Sequence, residues 1–444
     1  MSDFARNRWS RARIAAVIRE SPGLGRLATI RFAGQFGDGM FQAALSGAIL
    51  FNPERQTDPI AVAAGFTVLL LPYSVVGPFA GALLDRWDRR AVLLLANLTR
   101  AALIVTTAAM LATGARDRVL LLFALATVGV SRFVLAGVSA ALPHVVTRER
   151  LVPMNSVLTT VSSGCAAIGA GCSVTVIGIV GAGDAGSALA VLVSAAGSAA
   201  GALAAAGFAP QFLGPGDLSV GAGPRPHGVA VMAAIASGLR NGARAVWAVP
   251  GVTTAMTGIG AHRIVFGVNT MIMVLILRDT DAGSRMPGGL VGFGVAIVAT
   301  AAGMLLAAAV APVLIPRLGR SRTVTVAVTF AAVVQFTLVT TLVPGLLLLG
   351  AFLLGLAGQT IKLTGDAAMQ IDIPDDRRGQ VFALQDTVFN IAFVLALAVT
   401  AVSVPADGRS PSIAFAAGVV YLSALVAIAA NTRRGRGMVA RNLG

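Results

Sequence analysis

Charge is scarce in this chain. Only 12% of its 444 residues are charged, and lysine occurs once, at Lys362, every other Lys/Arg position being arginine. Soluble domains carry about 25% charged residues. With 56% hydrophobic residues and a mean hydropathy of +0.83, a water-soluble fold has no interior large enough for the apolar surface, which leaves an integral membrane protein. Cysteine is limited to Cys165 and Cys172, in one apolar segment. They form no C-x-x-C and no disulfide framework and read as small core residues. No G-x-x-x-x-G-K-[ST] occurs, because the single lysine follows "GQTI" inside an apolar segment; ATP hydrolysis through a P-loop is thereby excluded. H-E-x-x-H is absent as well, and His144, His227 and His262 are too scattered to suggest a metal set. No catalytic constellation, metal site or cofactor site emerges, so an enzyme is not expected. The N-terminus, "MSDFARNRWSRARIAAVIRE", lacks the apolar h-region of a signal peptide. It reads as a short interfacial helix with Trp9, Ile14, Val17 and Ile18 toward lipid.

What the chain has is apolar length. A spanning helix needs about 20 mostly apolar residues. Twelve segments qualify, at 27–51, 59–84, 91–113, 118–143, 152–180, 185–209, 248–277, 287–315, 323–343, 345–371, 380–404 and 411–430, with Pro344 and Gly345 turning the chain between the ninth and tenth. The expected fold is all-α and membrane-integral, with a basic N-terminus at 1–26, a six-helix bundle at 27–209, a linker at 210–247, a second six-helix bundle at 248–430 and a basic tail at 431–444. Within the linker, "GVAVMAAIASGLRNGARAVW" is too short in its apolar part to span and reads as a surface helix, with Arg240 and Arg244 toward water. The net charge of +15 sits in arginine tracts between spans: 23 Lys/Arg on the side of the N-terminus, 6 on the other and five inside spans. That is the positive-inside pattern. It places both termini in the cytoplasm and argues against a nucleic-acid partner.

The two halves echo each other. "GALLDRWDRR" at 81–90 joins the second and third spans, and "PVLIPRLGRS" at 312–321 joins the eighth and ninth; Arg86 then matches Arg317, and Arg89 matches Arg320. A parallel repeat of this kind marks a duplicated transporter. On these residues the chain resembles the major facilitator superfamily over nearly all of 25–430. The resemblance implies two six-helix bundles related by a pseudo-two-fold axis. It also implies that Gly81, Asp85, Arg86, Arg89 and Arg90 belong to a cytoplasmic charge cluster locking the outward-facing state, with Asp386 at the start of the eleventh span as a partner. "FGDGMFQAAL", "ALPHVVTRERLVPMNSV", "AHRIVFGVN" and "DDRRGQVFALQDTVFN" are similar to a twelve-helix bacterial drug-exporter type. The chain departs from that type where "RFVLAG" places Leu135 and Ala136 after Arg132, and where "SSGCAAIGAGCS" has no Gly-Pro step.

Charges inside spans cost about 2.5–3.5 kcal/mol each at mid-helix and therefore face a cavity or a partner. They are Arg31, Asp38, Arg100, Arg132, Arg263, Lys362 and Asp366, joined by His262. Arg31, Gln35, Asp38 and Gln42 share one face of the first span, with Asp38 roughly 17 Å along it at 1.5 Å per residue. Asp38 is either half of a fixed ion pair with Arg100 or Arg132, or a site for a proton or a substrate cation. Lys362, Asp366 and Gln370 share a face of the tenth span. Lysine before aspartate is the weaker order for an intrahelical pair, and Asp366 lies toward the negative helix end, so a partner from another helix is expected. Cations outnumber acids, so a cavity in which they are unpaired would favour an acidic substrate. The expected function is secondary transport by alternating access, as a monomer in the cytoplasmic membrane: proton-coupled export of drugs or amphipathic metabolites. A metabolite importer on the same fold and a non-transporting membrane sensor are the alternatives.

Overall fold

The computed structural model describes residues 20–50, 59–60, 62–68, 87–115, 117–147, 151–181, 183–214, 228–278 and 288–443. Among them there is no strand. The helices are α1 (Leu24–Leu50), α2 (Arg89–Ala112), α3 (Asp117–Ala141), α4 (Leu151–Val180), α5 (Asp184–Ala206), α6 (Gly228–Ala248), α7 (Pro250–Arg278), α8 (Gly289–Leu318), α9 (Arg320–Thr337), α10 (Pro344–Asp372), α11 (Asp375–Ser403) and α12 (Pro411–Leu443). Of the expected second span, 59–60 and 62–68 are helical and the rest lies outside the described residues. Hence α2–α5 are the third to sixth spans, α6 is the linker helix, and α7–α12 are the seventh to twelfth.

Among the described residues, ten helices are long and apolar enough to cross a membrane. Neither α1, with its polar face, nor α6 is among the ten. Local chemistry sets the helix ends. Asp88 caps α2 by accepting from the Arg90 N–H at 3.0 Å. Pro344 occupies the first turn of α10, where its missing N–H costs nothing, and Leu342 just before it takes the left-handed conformation at φ 55°.

The chain divides into two compact units. The described residues of 20–48 and 87–214 belong to the first; those of 228–443, together with 49–50, 59–60 and 62–68, belong to the second. In the first, Leu24, Leu27 and Ile30 of α1 meet Leu93 of α2, Val134 and Val138 of α3, and Met154 and Leu158 of α4. In the second, Val252, Ile259 and Val265 of α7 pack with Val324 and Val328 of α9, Ile361 of α10 and Tyr421 of α12. Ala245 and Val246 of α6 join that core, while Arg240 and Arg244 are exposed as expected. Outward faces carry Leu122, Ile168, Ile179, Leu203, Leu305, Val402 and Val426 bare. In a helix whose backbone bonds are closed internally, such side chains suit lipid.

Among the crossings that bring backbones together, two occupy matching positions in the two halves. On α1, a Cβ at Gly39 would collide with the Ala166 carbonyl of α4; on α7, one at Gly267 would lie 2.7 Å from the Phe393 carbonyl of α11. Small residues at helix crossings permit this approach. The pairs are the first span with the fifth and the seventh with the eleventh, the same positions in each half.

Candidate functional site

In the first unit the polar face of α1 turns inward. Asp38 is 6% exposed and pairs with Arg100 of α2, itself 1% exposed, at 2.8 Å. The Gln35 amide donates to the other Asp38 oxygen at 3.0 Å, and Arg100 also donates to the Gly34 carbonyl at 3.0 Å. Gly34 and Gly37 leave room for this guanidinium: a Cβ at either would come within 3.5 Å of it. Arg132 of α3 lies within electrostatic reach of Asp38. Of the two readings of Asp38, this geometry favours the fixed pair, since both carboxylate oxygens are engaged.

Arg31, about two turns earlier on α1, is also buried. Its Nε donates to Ser162 Oγ and one Nη to Thr159 Oγ1, both at 3.0 Å on α4, and its other Nη is buried without a partner. No carboxylate pairs with it among the described residues.

The second unit distributes its charges differently. Lys362 and Asp366 of α10 pair at 2.6 Å and remain 38% and 22% exposed. The sequence expectation of a partner from another helix holds in part, because Gln385 of α11 donates to the second Asp366 oxygen at 2.7 Å. The principal ion partner is nonetheless the intrahelical lysine. Asp386, grouped by sequence with the gate, lies in electrostatic reach of Lys362 and Asp366, with its side chain exposed and free of hydrogen bonds among the described residues.

Two further residues of α7 separate sharply in environment. His262 is buried, its Nδ1 2.8 Å from the Tyr421 hydroxyl of α12, and its ring fills the space over Gly358, where any Cβ would strike it. Its neighbour Arg263 is half-buried and donates through Nε to the Phe389 carbonyl at 3.2 Å. Its guanidinium carbon sits 3.7 Å from the Phe389 ring centroid, 4.7 Å from Phe393 and 5.2 Å from Phe266. No carboxylate pairs with Arg263 among the described residues.

Of the expected gate, Gly81, Asp85 and Arg86 lie outside the described residues. Arg89 donates to the Ala140 carbonyl at 3.0 Å and to the Leu213 carbonyl at 3.3 Å, with His144 Nδ1 at 3.3 Å. Arg90 donates to the Ala206 carbonyl at 3.3 Å. Both therefore hold the carbonyl ends of neighbouring helices. Arg320, matched to Arg89 by the repeat, makes a two-pronged pair with Asp372 at 2.6 and 2.8 Å. In each unit the arginine at the start of one span reaches the end of the next.

Several partners gave little warning in the sequence. Gln385 and Asp372 are polar residues near span ends. Tyr421 is one of only two tyrosines and sits in an apolar span, where its hydroxyl needs a partner. Phe389 and Phe393 are spaced four apart, so they share a face. Among the described residues no group of His, Cys, Asp and Glu is placed to hold a metal ion.

The family model described as Major Facilitator Superfamily matches residues 30–397. Two relatives named as uncharacterized MFS-type transporters, Mb0038c of Mycobacterium bovis and Rv0037c of Mycobacterium tuberculosis, are each 43% identical over 424 residues, covering 96% of this chain and 94% of theirs. Among solved structures, the nucleoside transporter NupG matches with a TM-score of 0.63 at 15% identity, over 92% of this chain and 98% of that one. A POT family transporter in complex with 5-aminolevulinic acid matches with a TM-score of 0.65 at 14% identity, over 93% and 97%. At these identities the solved structures show the fold alone.

Proposed function

The chain belongs to the major facilitator superfamily and is a multi-pass membrane transporter with that all-α fold; from that premise we propose that it is a proton-coupled exporter of small amphipathic molecules. It works as a monomer in the cytoplasmic membrane with both termini inside. The observation that carries the coupling is the contrast between the acidic residues of the two units. Asp38 is buried and fully engaged by Arg100 and Gln35. Asp366 and Asp386 stand together with Lys362, partly open to solvent, on α10 and α11. One cation cannot neutralise two carboxylates, which makes this acidic pair the candidate proton carrier. Such a group couples proton entry to rearrangement of its lysine partner. The outward direction draws on the likeness of "FGDGMFQAAL", "AHRIVFGVN" and "DDRRGQVFALQDTVFN" to drug exporters.

The test is accumulation of a panel of dyes and antibiotics in an efflux-deficient host. Wild type is compared with Asp366→Asn and Asp386→Asn at matched expression, with and without a protonophore. Lowered accumulation that the protonophore and at least one substitution erase is the expected result. No compound affected by wild type would overturn export, and export indifferent to both the protonophore and the substitutions would overturn the coupling role.

A further inference from the structure

We infer that Arg263, Phe266, Phe389 and Phe393 form a recognition site for the anionic end of an aromatic substrate, an aryl carboxylate or a similar monoanion. The inference rests on the transporter reading and adds a substrate class to it. A guanidinium on a spanning helix is costly, about 2.5–3.5 kcal/mol at mid-helix, and the usual relief is a carboxylate. Arg100 has that relief in Asp38 and Lys362 has it in Asp366. Arg263 has three phenyl rings instead.

Those rings stabilise a cation through their faces, each by about 0.5–2 kcal/mol depending on desolvation, but they leave its charge unneutralised. They also leave its hydrogen-bonding edge free. Nε is committed to the Phe389 carbonyl. The terminal nitrogens bond to nothing among the described residues, and neither is fully buried. The rings crowd the guanidinium, with its carbon 3.7 Å from the Phe389 centroid, while Phe266 follows Arg263 by three residues on α7 and Phe393 follows Phe389 by four on α11. A planar fork held in place and presenting two N–H groups suits a carboxylate, which accepts two parallel bonds. The surrounding rings supply an apolar, stacking wall for the body of such a ligand. A neutral ligand would gain the wall alone. A cationic one would meet the uncompensated guanidinium.

The experiment uses the purified full-length protein in detergent and two probes of matched shape, 2-naphthoate and 2-naphthamide. Ligand-dependent shifts of the thermal unfolding midpoint are titrated for wild type, Arg263→Gln, Arg263→Lys and Phe389→Leu. Wild type should bind naphthoate about tenfold more tightly than naphthamide, the discrimination of a charge-assisted pair. Arg263→Gln should bind the two alike. Arg263→Lys should keep part of the preference, and Phe389→Leu should weaken both probes. If Arg263→Gln does not fold, Arg263→Lys still reads the loss of the fork. Equal or undetectable binding of the two probes by wild type, or an undiminished naphthoate preference in Arg263→Gln or Arg263→Lys, overturns the assignment. Binding needs neither a gradient nor a direction of transport. Anion preference without proton-dependent export would sink the exporter reading alone, and export confined to cationic compounds without anion preference would sink this inference alone.

Discussion

Removing Arg100 separates a structural ion pair from a working one. In Arg100→Met the Asp38 carboxylate stays buried with the Gln35 amide at 3.0 Å and the electrostatic influence of Arg132. Breaking a buried pair by deleting one member costs about 3–5 kcal/mol, because the other charge is stranded. The bond to the Gly34 carbonyl, also lost, adds about 1 kcal/mol or less. Arg132 offsets part of the loss, so about 3–4 kcal/mol is expected. The companion variant Asp38→Asn strands the arginine instead, in a site only 1% exposed. The double variant Arg100→Met/Asp38→Asn leaves neither member of the pair stranded and keeps an acceptor for Gln35. It should lie within about 1 kcal/mol of wild type, since neutral replacement of a buried pair is often nearly cost-free. Denaturant unfolding of the detergent-solubilised protein, followed by tryptophan fluorescence, gives the double-mutant cycle. A coupling energy near zero, with the double variant as unstable as the sum of the singles, would refute the lock. So would an Asp38→Asn protein of undiminished stability that has lost transport.

Tyr421→Phe leaves the buried His262 Nδ1 without its 2.8 Å partner and should cost about 1–3 kcal/mol in the same unfolding assay; wild-type stability would show that the hydroxyl is dispensable. Alanine at two glycines of neighbouring α1 and α4 should act in opposite senses. Gly39→Ala drives a methyl into the Ala166 carbonyl and should reduce the monodisperse fraction on size exclusion, whereas Gly164→Ala enters open space and should stabilise by about 0.5–1 kcal/mol. Matching behaviour would disprove the close crossing. Arg320→Ala breaks a pair that is 31% and 26% exposed and should cost about 1 kcal/mol or less, shrinking in high salt. A cost as large as that of Arg100→Met would mean that this pair is far drier than its exposure indicates.

The all-helical, membrane-integral fold was legible because apolar length and charge scarcity leave few alternatives. The inward face of α1 was legible too, since Arg31, Gln35, Asp38 and Gln42 recur at steps of three and four. Choosing between Arg100 and Arg132 as the partner of Asp38 was beyond the sequence. Both are mid-span arginines, and only the packing of α2 against the glycine side of α1 decides for Arg100. Lys362 and Asp366 illustrate the limit of a local rule. Their order is the weaker one for an isolated helix in water, yet the pair forms at 2.6 Å, and Gln385 of α11 completes the carboxylate. Asp386 was grouped with the gate from the motif beside it; that it also lies in electrostatic reach of Lys362 and Asp366 depends on how α10 and α11 pack, which the sequence does not display. The phenyl rings around Arg263 were hidden because phenylalanine in an apolar span ordinarily faces lipid or core.

The repeat explains why the unneutralised arginine of the second unit lies where it does. The first and third spans are joined by Asp38 and Arg100. Their counterparts, the seventh and ninth, are joined by Asn269 and Gln335, whose amides bond reciprocally at 2.7 and 3.1 Å. Both are polar locks at equivalent helix pairs, but the first consumes an acid and a base while the second consumes neither. A neutral lock leaves α7 with no carboxylate of its own to offer Arg263, and the α11 backbone that approaches Gly267 contributes a carbonyl and rings. Installing an acid on α7 as Asn269→Asp would sacrifice part of the reciprocal amide bonding with Gln335 and introduce a negative charge on the helix that carries Arg263. If the positive character of Arg263 sets substrate choice, that one substitution should weaken naphthoate binding while leaving naphthamide binding unchanged; a parallel fall for both probes would place the residue in folding alone.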